Sequence, residues 1–293
     1  MPNLPKLDPL DRRLNFLDAS GSIVAERGSI ASIKVAFTEL RKDPEMACAI
    51  DTQLMFGQRV RVQEVSGEWA WVQAERDGYV GWIEEKTLNY SPVETTHVVS
   101  APRTFFYPGP DLKLPHKGMR SMGSELCVVD EAETRGTRYA ILAGGEAVIH
   151  HHISPKNEYA ADYVAVAEML MLTPYLWAGT TAFGIDCSGL VQLAMFMAGD
   201  NVLRDSDMQA ATIGAEIDPG SKYQDLQRGD VVFWRGHVGI CHGFDANGTL
   251  MLLHANGHSM NVTSEPLVPA IERIAYLYEK PTGVRRPYNK EKE

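Results

Sequence analysis

The alternation in residues 56–83, "FGQRVRVQEVSGEWAWVQAERDGYVGWI", constrains this chain most. Apolar and polar side chains exchange every second position around Ser66-Gly67 and Asp77-Gly78, a pattern that suits half-buried antiparallel strands joined by tight turns and no helix. Residues 122–149, "MGSELCVVDEAETRGTRYAILAGGEAVI", can be laid over the same stretch with Gly57 matched to Gly123, and "NYSPVETTH" would join the two copies. At 293 residues the chain is also longer than one core usually supports. The expected order is an extension over residues 1–30, small β-barrels over 31–90 and 95–155, and a different domain from 156 to 285.

That domain begins with "EYAADYVAVAEMLMLTPYLW", whose apolar residues recur at helical spacing until Thr173-Pro174 ends the run. Further on, "GTTAFGIDCSGLVQL" sets Cys187 before the nearly all-apolar run 188–198, a buried helix stopped by Gly199-Asp200-Asn201. A thiol at a helix N-terminus meets unpaired backbone N–H groups that favour an anion, yet a buried packing cysteine fits the same pattern. The helix end contributes at most ~2 kcal/mol, or ~1.5 pKa units, so chemistry at Cys187 also needs a base. "RGDVVFWRGHVGICHG" places His237 at a strand start after an Arg235-Gly236 turn, and "TLMLLHANG" places His254 near the end of the next strand. Adjacent antiparallel strands packed on the Cys187 helix would gather a thiol, an imidazole and an orienting group.

The blocks "PYLWAGTTAFGIDCSGLVQ", "RGDVVFWRGHVGI" and "LLHANG" resemble, in order and spacing, the three signature blocks of NlpC/P60 cysteine peptidases. With the upstream strand pattern, the chain is similar to γ-D-glutamyl-L-diamino acid endopeptidases that carry bacterial SH3-like domains and trim peptidoglycan stem peptides. The resemblance implies an α+β fold, a papain-like NlpC/P60 catalytic domain preceded by two small SH3-like β-barrels. It makes Cys187 the nucleophile, His237 the general base and His254 the third polar residue. It also makes Tyr175, Asp186, Ser188, Asp205 and Ser206 substrate-contacting positions. The residues alone also permit Tyr175 as a core aromatic, Asp186 as a helix cap, and Asp205-Ser206 as a solvated loop. Where relatives often carry L-Y-G-E, this chain reads "LMFGQ", so Gln58 replaces a carboxylate. Asp51, at the end of the preceding loop, is the expected substitute, with Tyr79 as its aromatic partner.

Other features bound the function. The formal net charge of −10 argues against a nucleic-acid or anionic-membrane binder, and suits a ligand with an amine. Prolines and mixed charge in "MPNLPKLDPLDRRLNF" replace the pattern of a secretory signal, so a cytoplasmic address is expected. Cys48, Cys127, Cys187 and Cys241 are too scattered for a disulfide framework or a zinc site. The run His150-His151-His152 is expected to be a partly exposed strand end, because consecutive strand residues face opposite ways and no fourth ligand is spaced to join them. His242 should lie opposite His237 on its strand, His258 in a loop, and Cys241 in packing. No metal or cofactor is expected. The expected partner is a stem-peptide fragment with a free L-Ala amino terminus, cut between γ-D-Glu and the diamino acid during cell-wall recycling. Amidase or acyl-transfer chemistry on the same scaffold, attack on intact peptidoglycan, and a muropeptide-binding module without turnover are the alternatives.

Overall fold

The computed structural model describes residues 6–25 and 28–288. Within them the chain falls into two compact units, one of residues 10–159 and 180–183, the other of residues 6–9, 160–179 and 184–288.

The first unit begins with strands β1 (Ser29–Ile33), β2 (Phe37–Arg41), β3 (Ile50–Met55), β4 (Arg59–Ser66), β5 (Trp69–Ala74), β6 (Val80–Glu84) and β7 (Leu88–Asn89). They form one antiparallel sheet in the order β3-β2-β6-β5-β4-β1-β7. The predicted alternation is realised: Val60 and Val62 on β4 and Ala70, Val72 and Ala74 on β5 enter a core with Leu40, Leu54 and Ile83. A bulge between Val62 and Glu64 ends the alternation on β4, twisting the sheet away where the outer residues become exposed. Residues 10–25, expected as an extension, dock onto this sheet. Phe16 packs edge-on against Trp71 with ring centroids 4.8 Å apart, and Val80 N–H donates to Arg13 O.

Strands β8 (His97–Val99), β9 (Arg103–Tyr107), β10 (Gly118–Ser121), β11 (Glu125–Leu126), β12 (Val128–Thr134), β13 (Thr137–Leu142), β14 (Ala147–Ile149) and β15 (Ile153–Pro155) follow. They make a five-stranded sheet, β10-β9-β14-β13-β12, and a three-stranded one, β11-β8-β15. The internal repeat is visible in the backbone. Gly57 N–H donates to Ile33 O and Phe56 N–H to Ala36 O, and the matching bonds run from Gly123 to Val99 and from Met122 to Pro102. Residues 150–152 are one turn of 3₁₀ helix and not the expected strand end. With about three residues per turn the imidazoles fan apart; His150 meets Glu131 and His152 meets Thr104.

The second unit carries helices α1 (Tyr163–Met169), α2 (Cys187–Met197), α3 (Ser206–Thr212) and α4 (Leu267–Tyr278). The short strand β16 (Thr180–Thr181) belongs to the first unit, and the second continues with β17 (Gly184–Ile185), β18 (Ala215–Glu216), β19 (Val231–Trp234), β20 (His237–Phe244), β21 (Leu250–Asn256), β22 (Asn261–Pro266) and β23 (Gly283–Arg286). The last six form an antiparallel sheet ordered β18-β23-β19-β20-β21-β22. Helix α1 is shorter than its apolar periodicity predicts. Asp162 caps its start, and beyond Leu170 the chain turns at Leu172, whose φ is +65°, so that Leu172 N–H reaches Val262 O on β22. Sheet hydrogen bonding has overridden local helical preference there.

Candidate active site

The apolar run after Cys187 forms α2 as expected, buried on nearly every side. Its end is a Schellman motif: Gly199 (φ +87°) donates to Phe196 O, and Asp200 N–H to Met195 O. At its start, Asp186 Oδ1 accepts from Gly189 N–H at 2.7 Å, making Cys187 the first helical residue. The glycine after Ser188 is demanded by space, because a Cβ at Gly189 would stand 2.4 Å from the Gly179 carbonyl oxygen. Residues 174–176 run alongside residues 184–186, with Ile185 N–H donating to Pro174 O and Leu176 N–H to Ile185 O. Tyr175, half-buried, therefore lies beside the segment that enters α2.

Asp186 is the cap that one reading of the sequence foresaw, and its carboxylate has a second partner that no reading foresaw. Arg204, 1% exposed, grips it with two nitrogens, Nη2 to Oδ2 at 2.6 Å and Nη1 to Oδ1 at 3.0 Å. The same Nη1 donates to Ser188 Oγ at 2.7 Å, and Gln209 Nε2 donates to Ser188 O at 2.9 Å. Asp186 and Ser188 thus build the start of α2. Asp205 and Ser206 follow Arg204 directly, Asp205 as the residue preceding α3 and Ser206 as its first residue, both half-buried. An arginine between apolar residues and an Asp-Ser-Asp run was the only sequence signal for this pair.

Opposite the start of α2, Arg235-Gly236 forms the predicted two-residue turn, with Trp234 paired to His237 across β19 and β20. The backbone N–H of the next residue, Val238, favours the anionic form of the Cys187 sulfur. His237 Nε2 lies 2.8 Å from His254 Nδ1, and His254, 0% exposed, meets Glu265 Oε1 through Nε2 at 2.7 Å. Arg273 of α4 pairs with the same carboxylate. Glu265 was absent from the sequence-based set, since a Glu on the strand after His254 carries no spacing signal of its own. His242, as expected, points elsewhere, to Glu168 and Ser264, and Cys241 lies in the core with Trp234 and Leu252.

The helix end does not lower the Cys187 thiol as expected. Burial, then the Asp186 charge, push it up to about 12, against the Val238 and Ser188 N–H groups and Arg204. Burial and the neighbouring His254 push His237 down to about 3. Desolvation outweighs a helix-end effect of at most ~2 kcal/mol. Both shifts favour a neutral thiol and a neutral imidazole in the resting site.

Two expected substrate contacts are placed differently. Tyr79 is 2% exposed and belongs to the core of the first β-sheet, so its ring is packing and offers no surface to a ligand. Asp51 lies within β3 and not at a loop end, and its Oδ2 takes Arg12 Nη1 at 3.0 Å. Gln58 closes the turn before β4, its Oε1 accepting from Met55 N–H.

With this geometry in view, residues 172–279 match the NlpC/P60 family and residues 40–88 match the bacterial dipeptidyl-peptidase Sh3 domain. A γ-D-glutamyl-L-lysine dipeptidyl-peptidase of Bacillus cereus is 29% identical over 207 residues, which are 63% of this chain and 60% of that protein, so the chain spans about three fifths of that relative. A probable endopeptidase NlpC of Escherichia coli is 33% identical over 121 residues, 36% of this chain and 73% of that protein. A crystal structure of an NlpC/P60 family protein from Bacillus cereus superposes with a TM-score of 0.71 at 23% identity, covering 88% of this chain and 99% of that one, a likeness of fold. The α+β unit with Cys187 at a helix start and two histidines on adjoining strands, and an SH3-like domain before it, are therefore those of a chain that belongs to the NlpC/P60 family of cysteine peptidases.

Proposed function

We propose that the protein hydrolyses the bond between γ-D-Glu and an L-diamino acid in peptidoglycan stem peptides that begin with a free L-Ala. The observation that carries this reading is the chain of contacts from His237 through His254 to Glu265, on strands that face the helix which Cys187 begins. As Cys187 Sγ attacks the γ-carbonyl, His237 takes the thiol proton and then gives it to the departing α-amine of the diamino acid. A water molecule, deprotonated by His237, opens the thioester and releases the dipeptide with a free γ-carboxylate. The first N–H groups of α2 face the developing oxyanion.

The relatives named γ-D-glutamyl-L-lysine dipeptidyl-peptidase support this choice of bond. The free amino terminus is supported by the acidic charge balance and by Asp205 and Ser206, which directly follow the Arg204 bonded to Asp186 at the start of α2, where an ammonium could pair with a carboxylate. We read residues 95–155 as a second SH3-like barrel and the reaction as cell-wall recycling in the cytoplasm, a setting in keeping with four well-separated thiols and checked by cell fractionation.

The test compares kcat/KM for L-Ala-γ-D-Glu-L-Lys with its N-acetylated form. Leaving a carboxylate unpaired costs several kcal/mol, so a loss of roughly a hundred-fold or more is expected. Equal cleavage of the acetylated peptide or of whole sacculi overturns the free-amine requirement, and no cleavage of either peptide overturns the peptidase reading.

A further inference from the structure

Behind the two histidines lies a carboxylate, and its chemistry dictates where the ring protons sit. An ionised carboxylate only accepts hydrogen bonds, whereas each neutral imidazole has one donor and one acceptor nitrogen. Glu265 Oε1 stands 2.7 Å from His254 Nε2, so that nitrogen must carry the proton. His254 Nδ1 is then an acceptor, and the 2.8 Å contact with His237 Nε2 requires the proton on the His237 side. The remaining nitrogen of His237, Nδ1, is left with a bare lone pair. Without Glu265 both contacts could run in the opposite sense, leaving His237 with a protonated Nδ1 that cannot take a proton from a thiol.

We infer that Glu265 is a positioning residue that sets the tautomers of both histidines, so that His237 presents an unprotonated Nδ1 as the base. The inference rests on the reading of Cys187, His237 and His254 as the catalytic set. Two further observations support it. Arg273 pairs with the same carboxylate, which keeps it charged and fixed in direction, and the His254 bond together with Arg273 holds Glu265 below the ordinary carboxylate range. His254 itself is sealed from solvent, so water cannot stand in for the missing acceptor.

Long-range ¹H–¹⁵N NMR of the imidazoles in the full-length protein tests this without recourse to turnover. The parent should show His237 and His254 both protonated at Nε2 and bare at Nδ1 near pH 7.5. Glu265→Gln, whose amide can donate as well as accept, should mix the tautomers, and Glu265→Ala should mix them further. In parallel, kcat on L-Ala-γ-D-Glu-L-Lys should fall about ten- to a hundred-fold in Glu265→Gln with KM held within about two-fold, as for other partners that orient a working histidine. A parent His237 protonated at Nδ1 overturns the inference even if no variant folds. Unchanged tautomers in the variants also overturn it, whatever kcat does. A parent with the expected tautomers but no cleavage would leave the role of Glu265 standing and sink the peptidase reading alone.

Discussion

His237 and His254 face each other nitrogen to nitrogen across β20 and β21, 2.8 Å apart with their rings inclined at 62°. One ring can hand a proton to chemistry only while the other holds it in place, and this asymmetry separates the expected effects of replacing them. His237→Ala should reduce kcat on L-Ala-γ-D-Glu-L-Lys to near background, a loss of about 10⁴-fold or more. His254→Gln retains an acceptor for His237 Nε2–H and should cost about ten- to a hundred-fold. Comparable losses in the two variants would contradict the division of roles.

The resting protonation states predict the pH response. With His237 pushed down to about 3 and the thiol up to about 12, the base is unprotonated and the thiol intact across the working range. kcat/KM should therefore vary by no more than about two-fold between pH 5.5 and 8. A midpoint near 6.5 would show that the imidazole is not buried as described.

Stability should respond to the same group with a definite sign. Unfolded His237 titrates near 6.5 and folded His237 near 3, so below pH 6.5 the unfolded chain binds the extra proton and stability falls as pH falls towards 3. At pH 5 this contributes up to about 2 kcal/mol of destabilisation. Thermal melts from pH 7.5 to 5 should show a drop in Tm that is smaller in His237→Ala. An equal slope in both proteins would exclude this source.

Asp186 and Arg204 form a buried, two-pronged ion pair at the start of α2. Arg204→Met strands the carboxylate and should destabilise the protein by about 3–5 kcal/mol, measured by urea unfolding. The double variant Asp186→Asn with Arg204→Met should recover a sizeable part of that loss. If it is less stable than the single variant, the stranded charge is not the cause.

Gly189 has the Gly179 carbonyl oxygen where a side chain would go. Gly189→Ala should push the start of α2 off its seat, lowering Tm and reducing kcat more than Ser188→Ala does, although alanine is the better helix former by ~1 kcal/mol. A stabilised Gly189→Ala variant would refute the close approach.

Much of this architecture is written in short-range signals. Alternation through Val60, Val62 and Val72 defined the first β-sheet, the turn at Arg235-Gly236 set His237 at the start of β20, and the all-apolar run after Cys187 defined α2. Each works within a few residues, because side-chain period and turn conformation are properties of the local backbone. The partners of the site were not legible in this way. Arg204 reaches Asp186 across 18 positions, Glu265 reaches His254 across a strand pairing, and Arg273 arrives from α4. Tyr79 appeared at a loop end as a ligand contact and instead fills a core, since an aromatic near a turn packs or projects according to what lies over it. The thiol shows the same division. Sequence placed it at a helix N-terminus, where a local field favours the anion, but only the tertiary structure supplied the burial that outweighs that field and pushes the thiol up.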